Sequence, residues 1–185
     1  FLGAYRAVAV SGVMAAGLAA ASPVFAFRWS SAAAVAVIRQ VRLGAGSIVG
    51  FAAGAVTFRM IAARGYTVSD TGGTALTLTG NNAKLRTSYP TTLAGDVRAS
   101  ATATLTAGTR TLDDQGLAAL TGSVPVTAGN IVMAETLLYQ ADSPTDNPLV
   151  LAQNEGFVVH ATVPATGTWT FSVDVEWAEF ATSYE

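Results

Sequence analysis

Few residues of this chain have the types and spacing that support catalysis or metal binding. His160 is the only histidine among 185 residues and cysteine is absent, so neither a multi-histidine nor a thiolate metal site can form. No Ser-His-Asp or GxSxG pattern is present, and the glycines at 72–73 and 44–46 lack the lysine and helix context of a phosphate loop. We interpret His160 as a histidine at the surface or core edge of a strand.

Three sets of carboxylates have the composition of a functional site without its spacing. Asp174 and Glu176 would share one strand face, like the acid pair of a glycosidase, but no substrate-binding residues accompany them. Asp113-Asp114 and Asp142 to Asp146 supply oxygen atoms of the kind that calcium prefers, at spacings too loose for a calcium loop. Turn formation explains these aspartates better. The sequence therefore predicts no cofactor, no metal and no enzymatic activity.

The elements that must position these residues are short β-strands, of which residues 168–177 give the clearest pattern. Apolar and polar side chains alternate there, which is typical of a strand with one buried face. The predicted core side chains are Trp169, Phe171, Val173, Val175 and Trp177. Pro164 to Gly167 has the length of a hairpin loop, and Gly167 can take a positive φ. We therefore expect residues 157–163 and 168–177 to form a long hairpin that closes the core.

Alternating segments recur along the rest of the chain. Strands are expected at about 4–10, 23–29, 34–43 and 54–63. Val35, Val37, Val41 and Leu43 share one parity of the third, which Arg39 interrupts. A helix is the alternative for that segment, but its β-branched residues favour a strand.

The sequence pattern of residues 130–140 is compatible with either a helix or a strand, and we favour a strand broken near Glu135. Together the segments suggest eight to ten short strands with turns between them. We therefore predict an all-β, antiparallel two-sheet sandwich, jelly-roll-like, over residues 23–185. Residues 1–22 would form an extended N-terminal arm or edge strand.

Residues 67–95 form the longest stretch without a clear strand pattern, and such loops are often functional. Together with the N-terminal arm, this stretch is our candidate for contact with other subunits. The candidate interface residues are Tyr5, Arg6, Asp70, Asn81, Asn82, Arg86 and Tyr89.

Composition narrows the class of partner. The net charge of −2 argues against a nucleic-acid binder. The apolar run at 8–21 is rich in alanine and falls short of the ~20 strongly apolar residues of a membrane span. Only 12% of residues are charged, which suggests a surface partly covered by a partner. Val24-Phe25-Ala26 also matches the small-x-small pattern of a signal-peptide cleavage site. The alternative interpretation of residues 1–26 is therefore a leader peptide.

Several segments resemble a group of tailed-bacteriophage structural proteins. The similar segments are 14–20, 25–29, 70–74, 78–82, 154–159, 163–169 and 173–177. The resemblance implies a virion structural protein and carries over no catalytic residue.

From this resemblance we expect a capsid decoration (cement) protein on the outer surface of the head. Its partners would be the major capsid protein and further copies of itself, with a homotrimer favoured. One alternative is a head- or tail-fibre module that binds host glycans through aromatic side chains such as Trp29 and Trp169. Another is a secreted bacterial surface protein.

Overall fold

The structure is a computed structural model that describes residues 1–15, 18, 21–126, 128–141 and 147–181. Every regular element within these ranges is a β-strand, and thirteen are present. They are β1 (Gly3–Val10), β2 (Met14–Ala15), β3 (Ser22–Trp29), β4 (Ala34–Val49), β5 (Gly54–Arg64), β6 (Thr74–Ala75), β7 (Ala94–Ala99), β8 (Thr111–Leu112), β9 (Ala118–Val124), β10 (Val132–Gln140), β11 (Val150–Leu151), β12 (Glu155–Thr162) and β13 (Thr168–Ala181).

The strands form two open antiparallel sheets. The first sheet has the order β1-β13-β4-β10, with β2 paired to β13 and β11 paired to β4. The second has the order β6-β7-β3-β12-β5-β8, with β9 also paired to β5. The eight principal strands are β1, β3, β4, β5, β9, β10, β12 and β13. Numbered along the chain, they lie in the orders 1-8-3-6 and 2-7-4-5, which is the strand order of a jelly roll. The predicted all-β, two-sheet architecture is confirmed.

The core lies between the two sheets and is rich in aromatic side chains. Trp177 of the first sheet meets Phe27 of the second edge to face, with ring centroids 5.1 Å apart. Trp169 makes a similar contact with Phe58 at 5.8 Å. Offset and edge-to-face arrangements are the favourable geometries for aromatic pairs. These contacts fix how the sheets are placed against each other.

All five apolar side chains of residues 168–177 are buried in this core, but the expected hairpin is wrong. β12 pairs with β3 and β5 in the second sheet, whereas β13 pairs with β1 and β4 in the first. Residues 163–167 cross between the sheets, with Thr166 and Gly167 at φ values of 64° and 93°. The alternation of apolar and polar residues shows which face of a strand is buried, but not which strand lies beside it. Two consecutive strands with one buried face each can therefore form a hairpin in one sheet or lie in opposite sheets.

A β-bulge in β4 corrects a second expectation. Gln40 lies opposite Glu176, and Ile38 lies opposite Trp177, so Arg39 is an extra residue in this ladder. The bulge reverses the side-chain parity, because side chains alternate strictly along a regular strand. Ala36 and Ile38, rather than Val35 and Val37, therefore join Val41 and Leu43 in the core between the sheets.

The predicted strand at 130–140 is present as β10, but it is continuous, and the expected break near Glu135 is only a register shift between Met133 and Thr136. The predicted strand at 34–43 is longer than expected and continues to Val49.

An insertion at residues 65–117, between β5 and β9, covers one side of the sandwich. Its strand β7 extends the second sheet beside β3. Other parts of it pack on the far side of that sheet, where Leu105 joins Ala26, Ile61 and Val158 in a second apolar cluster. The second sheet is thus covered on both faces, whereas the first sheet leaves Val8, Val10 and Val132 exposed on the side away from the core.

Candidate functional site

The most concentrated set of ionisable groups lies inside the insertion. Asp70 accepts hydrogen bonds from Arg110 Nε at 2.9 Å and Nη2 at 2.8 Å, from Tyr66 Oη at 2.7 Å and from the Gly108 amide at 2.9 Å. The side chains of Arg110 and Asp70 are only 4% and 0% exposed. This cluster ties the start of the insertion to its end.

The same cluster is anchored to the second sheet. Arg28 of β3 donates to the Tyr66 carbonyl at 2.7 Å and to the Thr67 carbonyl at 2.9 Å. Tyr66 itself packs over Gly156 of β12, where the space available fits only a hydrogen atom. A larger residue at position 156 would overlap first the Phe27 carbonyl oxygen of β3 and then the Tyr66 ring.

The chemistry of this cluster is that of a structural joint. Burial alone would raise the pKa of Asp70, but the hydrogen bonds from Arg110, Gly108 and Tyr66 hold it below its ordinary value. Burial and the hydrogen bond to Asp70 raise the pKa of Tyr66, so its hydroxyl stays protonated. A carboxylate that already accepts four hydrogen bonds has little capacity left to act as a base.

His160 lies beside this joint, on the side of β12 that faces the insertion. Its Nε2 atom is enclosed and has no hydrogen-bond partner. Burial lowers the pKa of His160, and the nearby charges of Arg110 and Arg59 lower it further. His160 is therefore neutral at neutral pH. Among the described residues no group of three or more His, Asp or Glu could hold a metal ion.

The side of the first sheet that faces away from the core, here called the outer face, is different in character. Strand register places its side chains in rows across the sheet. One row is Val10, Ser172 and Gly44, and the next is Val8, Asp174, Arg42 and Leu137. The flanking rows are Thr170, Gly46 and Val132 on one side and Arg6, Glu176, Gln40 and Gln140 on the other.

Large apolar side chains of the outer face are exposed at both edges of the sheet. Val8 and Val10 of β1 are 55% and 71% exposed, and Val132 of β10 is 89% exposed. In β1 the side chains that face the core are those of Ala7 and Ala9, whereas the larger side chains of Val8 and Val10 point outwards. An uncovered face of an antiparallel sheet is normally polar, and exposed apolar groups that cluster there mark an interaction surface.

The middle of the outer face is recessed. A trough of about 270 Å³ lies there, and the residues that line it include Gly44, Gly46 and Ser172, with Val10 of β1 and Glu135 of β10. Its lining residues belong to β1, β13, β4 and β10, so the trough extends across the sheet between the two edge strands. The outer face thus has two ridges and a groove between them.

The outer face also carries charges of both signs. Arg42 pairs with Glu135 at 3.1 Å, while Arg6 and Glu176 form no ion pair with a described residue. Asp174 is half-buried, and its Oδ1 atom is enclosed without a hydrogen-bond partner. Burial raises the pKa of Asp174, and the neighbouring carboxylates Glu176 and Glu135 raise it further, although Arg42 and Arg6 partly offset the rise. An added positive charge near Asp174 would relieve this repulsion.

The middle of the insertion is held firmly against the first sheet. The Arg6 amide donates to the Ala83 carbonyl at 2.7 Å, and the Leu85 amide donates to the Ala4 carbonyl at 3.0 Å. Further on, the Thr92 hydroxyl and the Leu93 amide donate to the buried carboxylate of Glu179. Residues 83–93 are thus fixed to β1 and β13 and form a supported surface rather than a free loop.

Two small grooves flank this part of the insertion. Arg6, Val8, Leu78 and Asn82 are among the residues that line one of about 230 Å³. The other, of about 260 Å³, lies across Thr77 and reaches Asp96. The first groove brings together Arg6 and Asn82, two of the predicted interface residues.

The remaining predicted interface residues divide into exposed and buried sets. Asn81 and Arg86 are exposed and Tyr89 is half-buried. Tyr5 and Asp70 are only 0% and 1% exposed, so their side chains stabilise the fold and cannot contact another subunit. Tyr5 stacks on Trp177 at 5.7 Å, and Asp70 belongs to the joint with Arg110.

Sequence reasoning missed the exposed valines of the outer face and the role of Arg110. In β1 both parities are apolar, so the pattern gives no signal for which side is exposed. Arg110 stands in a polar stretch far from Asp70 in sequence, with nothing to link the two. Trp29, Trp169 and Trp177 are fully buried and cannot stack on a sugar. Asp142 and Asp146, considered for calcium, lie outside the described residues.

The described residues form no helix, and hence none long and apolar enough to cross a membrane. Comparison of the chain with protein-family models, with curated proteins and with solved structures found no match.

Proposed function

We propose that this protein is a structural component of a tailed-phage virion, a decoration protein that binds the major capsid protein on the outer surface of the head. The observation that carries the proposal is that the molecule presents two exposed surfaces for assembly: residues 81–86, held against β1, and the outer face of the first sheet, with its exposed valines. A jelly roll that covers one sheet with its own insertion and leaves apolar groups bare on the other is suited to assembly with protein partners. The resemblance of the sequence to phage structural proteins supports the virion as the place of assembly.

Residues 81–86, at the start of the supported surface, are the proposed contact with the capsid. Asn81, Asn82 and Arg86 are exposed there on a backbone that hydrogen bonds to β1 hold in place. A preorganised surface binds without the cost of ordering a loop. Binding at many sites on the shell would then stabilise the assembled shell over its dissociated subunits by mass action.

The test uses phage heads from which this protein has been deleted. Such heads should release their DNA at a lower temperature than complete particles, and added purified protein should bind them and restore the release temperature. An Asn82→Asp, Arg86→Glu variant should bind more weakly. Arg39→Glu, which changes an exposed arginine on the bulge of β4, is the matched control and should bind normally. Unchanged stability of the deleted heads would refute the proposal.

A further inference from the structure

The outer face contains both halves of a fitted contact. Val8 and Val10 form a ridge along β1, and Val132 stands on the opposite edge of the sheet. The trough of about 270 Å³ between them is open to solvent. The ridge and the trough lie on the same surface of the molecule. Two copies can therefore meet face to face, so that the valine ridge of each copy enters the trough of the other.

The chain's own packing does not account for the depth of the trough. Gly46 does not take a positive φ, and the nearest atom that a methyl group added to it would meet is the Ile131 carbonyl oxygen, at 4.0 Å. Glycine in the middle of a strand is less stable than alanine there. Neither the backbone conformation nor crowding within the chain requires glycine at position 46. Its presence is explained if a group from outside the chain occupies the space above it.

The charges on the outer face are self-complementary. Arg6 lies opposite Glu176 in the strand register, yet neither Arg6 nor the carboxylates of Asp174 and Glu176 form an ion pair among the described residues. A surface that offers an unpaired arginine and unpaired carboxylates can satisfy both against another copy of itself. A partner with a single sign of charge would satisfy only one of them.

We infer that the outer face binds a second copy of this chain in a two-fold, face-to-face contact. In this contact the valines of each copy fill the trough of the other, and Arg6 of each copy lies near the carboxylates of the other. A contact that uses the same surface on both copies closes as a dimer, whereas the trimer implied by the resemblance needs two different surfaces. The inference rests on the proposed function in one respect: both treat the outer face as a surface that binds other protein molecules.

The size of the outer face is adequate for such a dimer. Four strands about 4.8 Å apart, each contributing up to eight residues that rise about 3.3 Å, give roughly 500 Å² of projected area. Side-chain relief increases the accessible area above this projection. Stable interfaces bury about 800 Å² per partner, so the face is of the required order.

The experiment measures the mass of the purified full chain by light scattering after size exclusion, over a range of concentrations. The wild type should show twice the 18.8 kDa chain mass. Val10→Asp and Gly46→Leu should be monomers with unchanged circular dichroism, because both positions face solvent in one copy. Val68→Asp, at an exposed valine on the insertion, is the control and should remain a dimer. If Gly46→Leu does not fold, Val132→Asp replaces it.

A monomeric wild type would overturn the inference, as would a trimer or a dimer that survives both Val10→Asp and Val132→Asp. The outcome is separable from that of the proposed function. Dimers that fail to bind phage heads would support the inference and refute the decoration role. Monomeric protein that binds and stabilises heads would do the reverse.

Discussion

Arg110 donates two parallel hydrogen bonds to Asp70, at 2.9 and 2.8 Å, in a site from which solvent is almost excluded. The two residues lie at opposite ends of the insertion that covers the second sheet. Tyr66 and the Gly108 amide complete the hydrogen bonding of the carboxylate. The pair is therefore a closure that holds the insertion in one shape, and its loss should loosen the entire segment.

Removing one partner of this closure should be costly. Asp70→Ala leaves the Arg110 guanidinium buried without a counter-charge, and we expect the free energy of unfolding to fall by about 3–5 kcal/mol. Urea denaturation followed by tryptophan fluorescence measures this. The control is Asp113→Ala, which breaks the exposed pair that Asp113 forms with Arg64 at 2.8 Å. That loss should stay below about 1 kcal/mol, and equal losses would contradict the assigned role.

His160 should make the protein less stable in mild acid. Its folded pKa is below the ordinary value of 6.5, mainly through burial and then through Arg110 and Arg59. The unfolded chain therefore takes up the proton more readily, so this contribution is complete above pH 6.5 and declines as the pH falls below it. His160→Gln should lose the decline. Urea unfolding at pH 7.5 and 5.5 compares the two proteins, and because the chain has a single histidine, identical pH dependence would refute the prediction.

Glu179 should act in the opposite direction. Burial raises its pKa, despite hydrogen bonds from Thr92, Trp177 and Leu93. Its contribution is complete below the ordinary value of 4.5 and is lost as the pH rises through the folded pKa. Glu179→Gln is neutral and keeps an acceptor oxygen for the Trp177 indole, so its stability relative to wild type should increase as the pH rises from 4 to 7. Thermal unfolding across that range measures the difference, and a constant difference would contradict it.

Gly156 should tolerate no side chain. A methyl group at this position would overlap the Phe27 carbonyl oxygen and lie 2.8 Å from Cδ1 of Tyr66. Gly156→Ala should therefore lower the free energy of unfolding by about 1–3 kcal/mol. Gly122→Ala in β9 is the control, because the nearest atom to its methyl group would be Met133 Sδ at 4.0 Å. Chemical denaturation should find the control as stable as wild type or slightly more stable, and a tolerated Gly156→Ala would show that the insertion does not pack closely on β12.

The parts of the fold that could be predicted depend on local side-chain patterns. Phe25, Phe27, Val56, Phe58 and Met60 alternate with polar or small residues, and all five are buried as the alternation requires. The bulge at Arg39 could not be predicted, because an extra residue is recognised only when its neighbouring strand is known. For the same reason the sequence placed Val35 and Val37 on the wrong side.

The candidate site depended almost entirely on distant contacts. Asn82 was singled out from turn residues, and its place beside Arg6 follows from the hydrogen bonds between residues 83–85 and β1. The turn residues around Asp70 predict a position on the surface. Arg110, far along the chain, buries it instead.

The stretch at 168–177 separates what each level determines. By itself the sequence determined that Trp169, Phe171, Val173, Val175 and Trp177 face a core, because the period of two is set by the backbone of a single strand. Only the tertiary structure decided that this strand lies between β1 and β4 rather than beside β12. It also decided that the polar side of the strand, with Asp174 and Glu176, lies at the centre of an outer face whose edge strands expose valines. Contacts between segments far apart in sequence decide which strands pair and which face of each sheet is covered. The side-chain period of a single strand contains no information about such contacts.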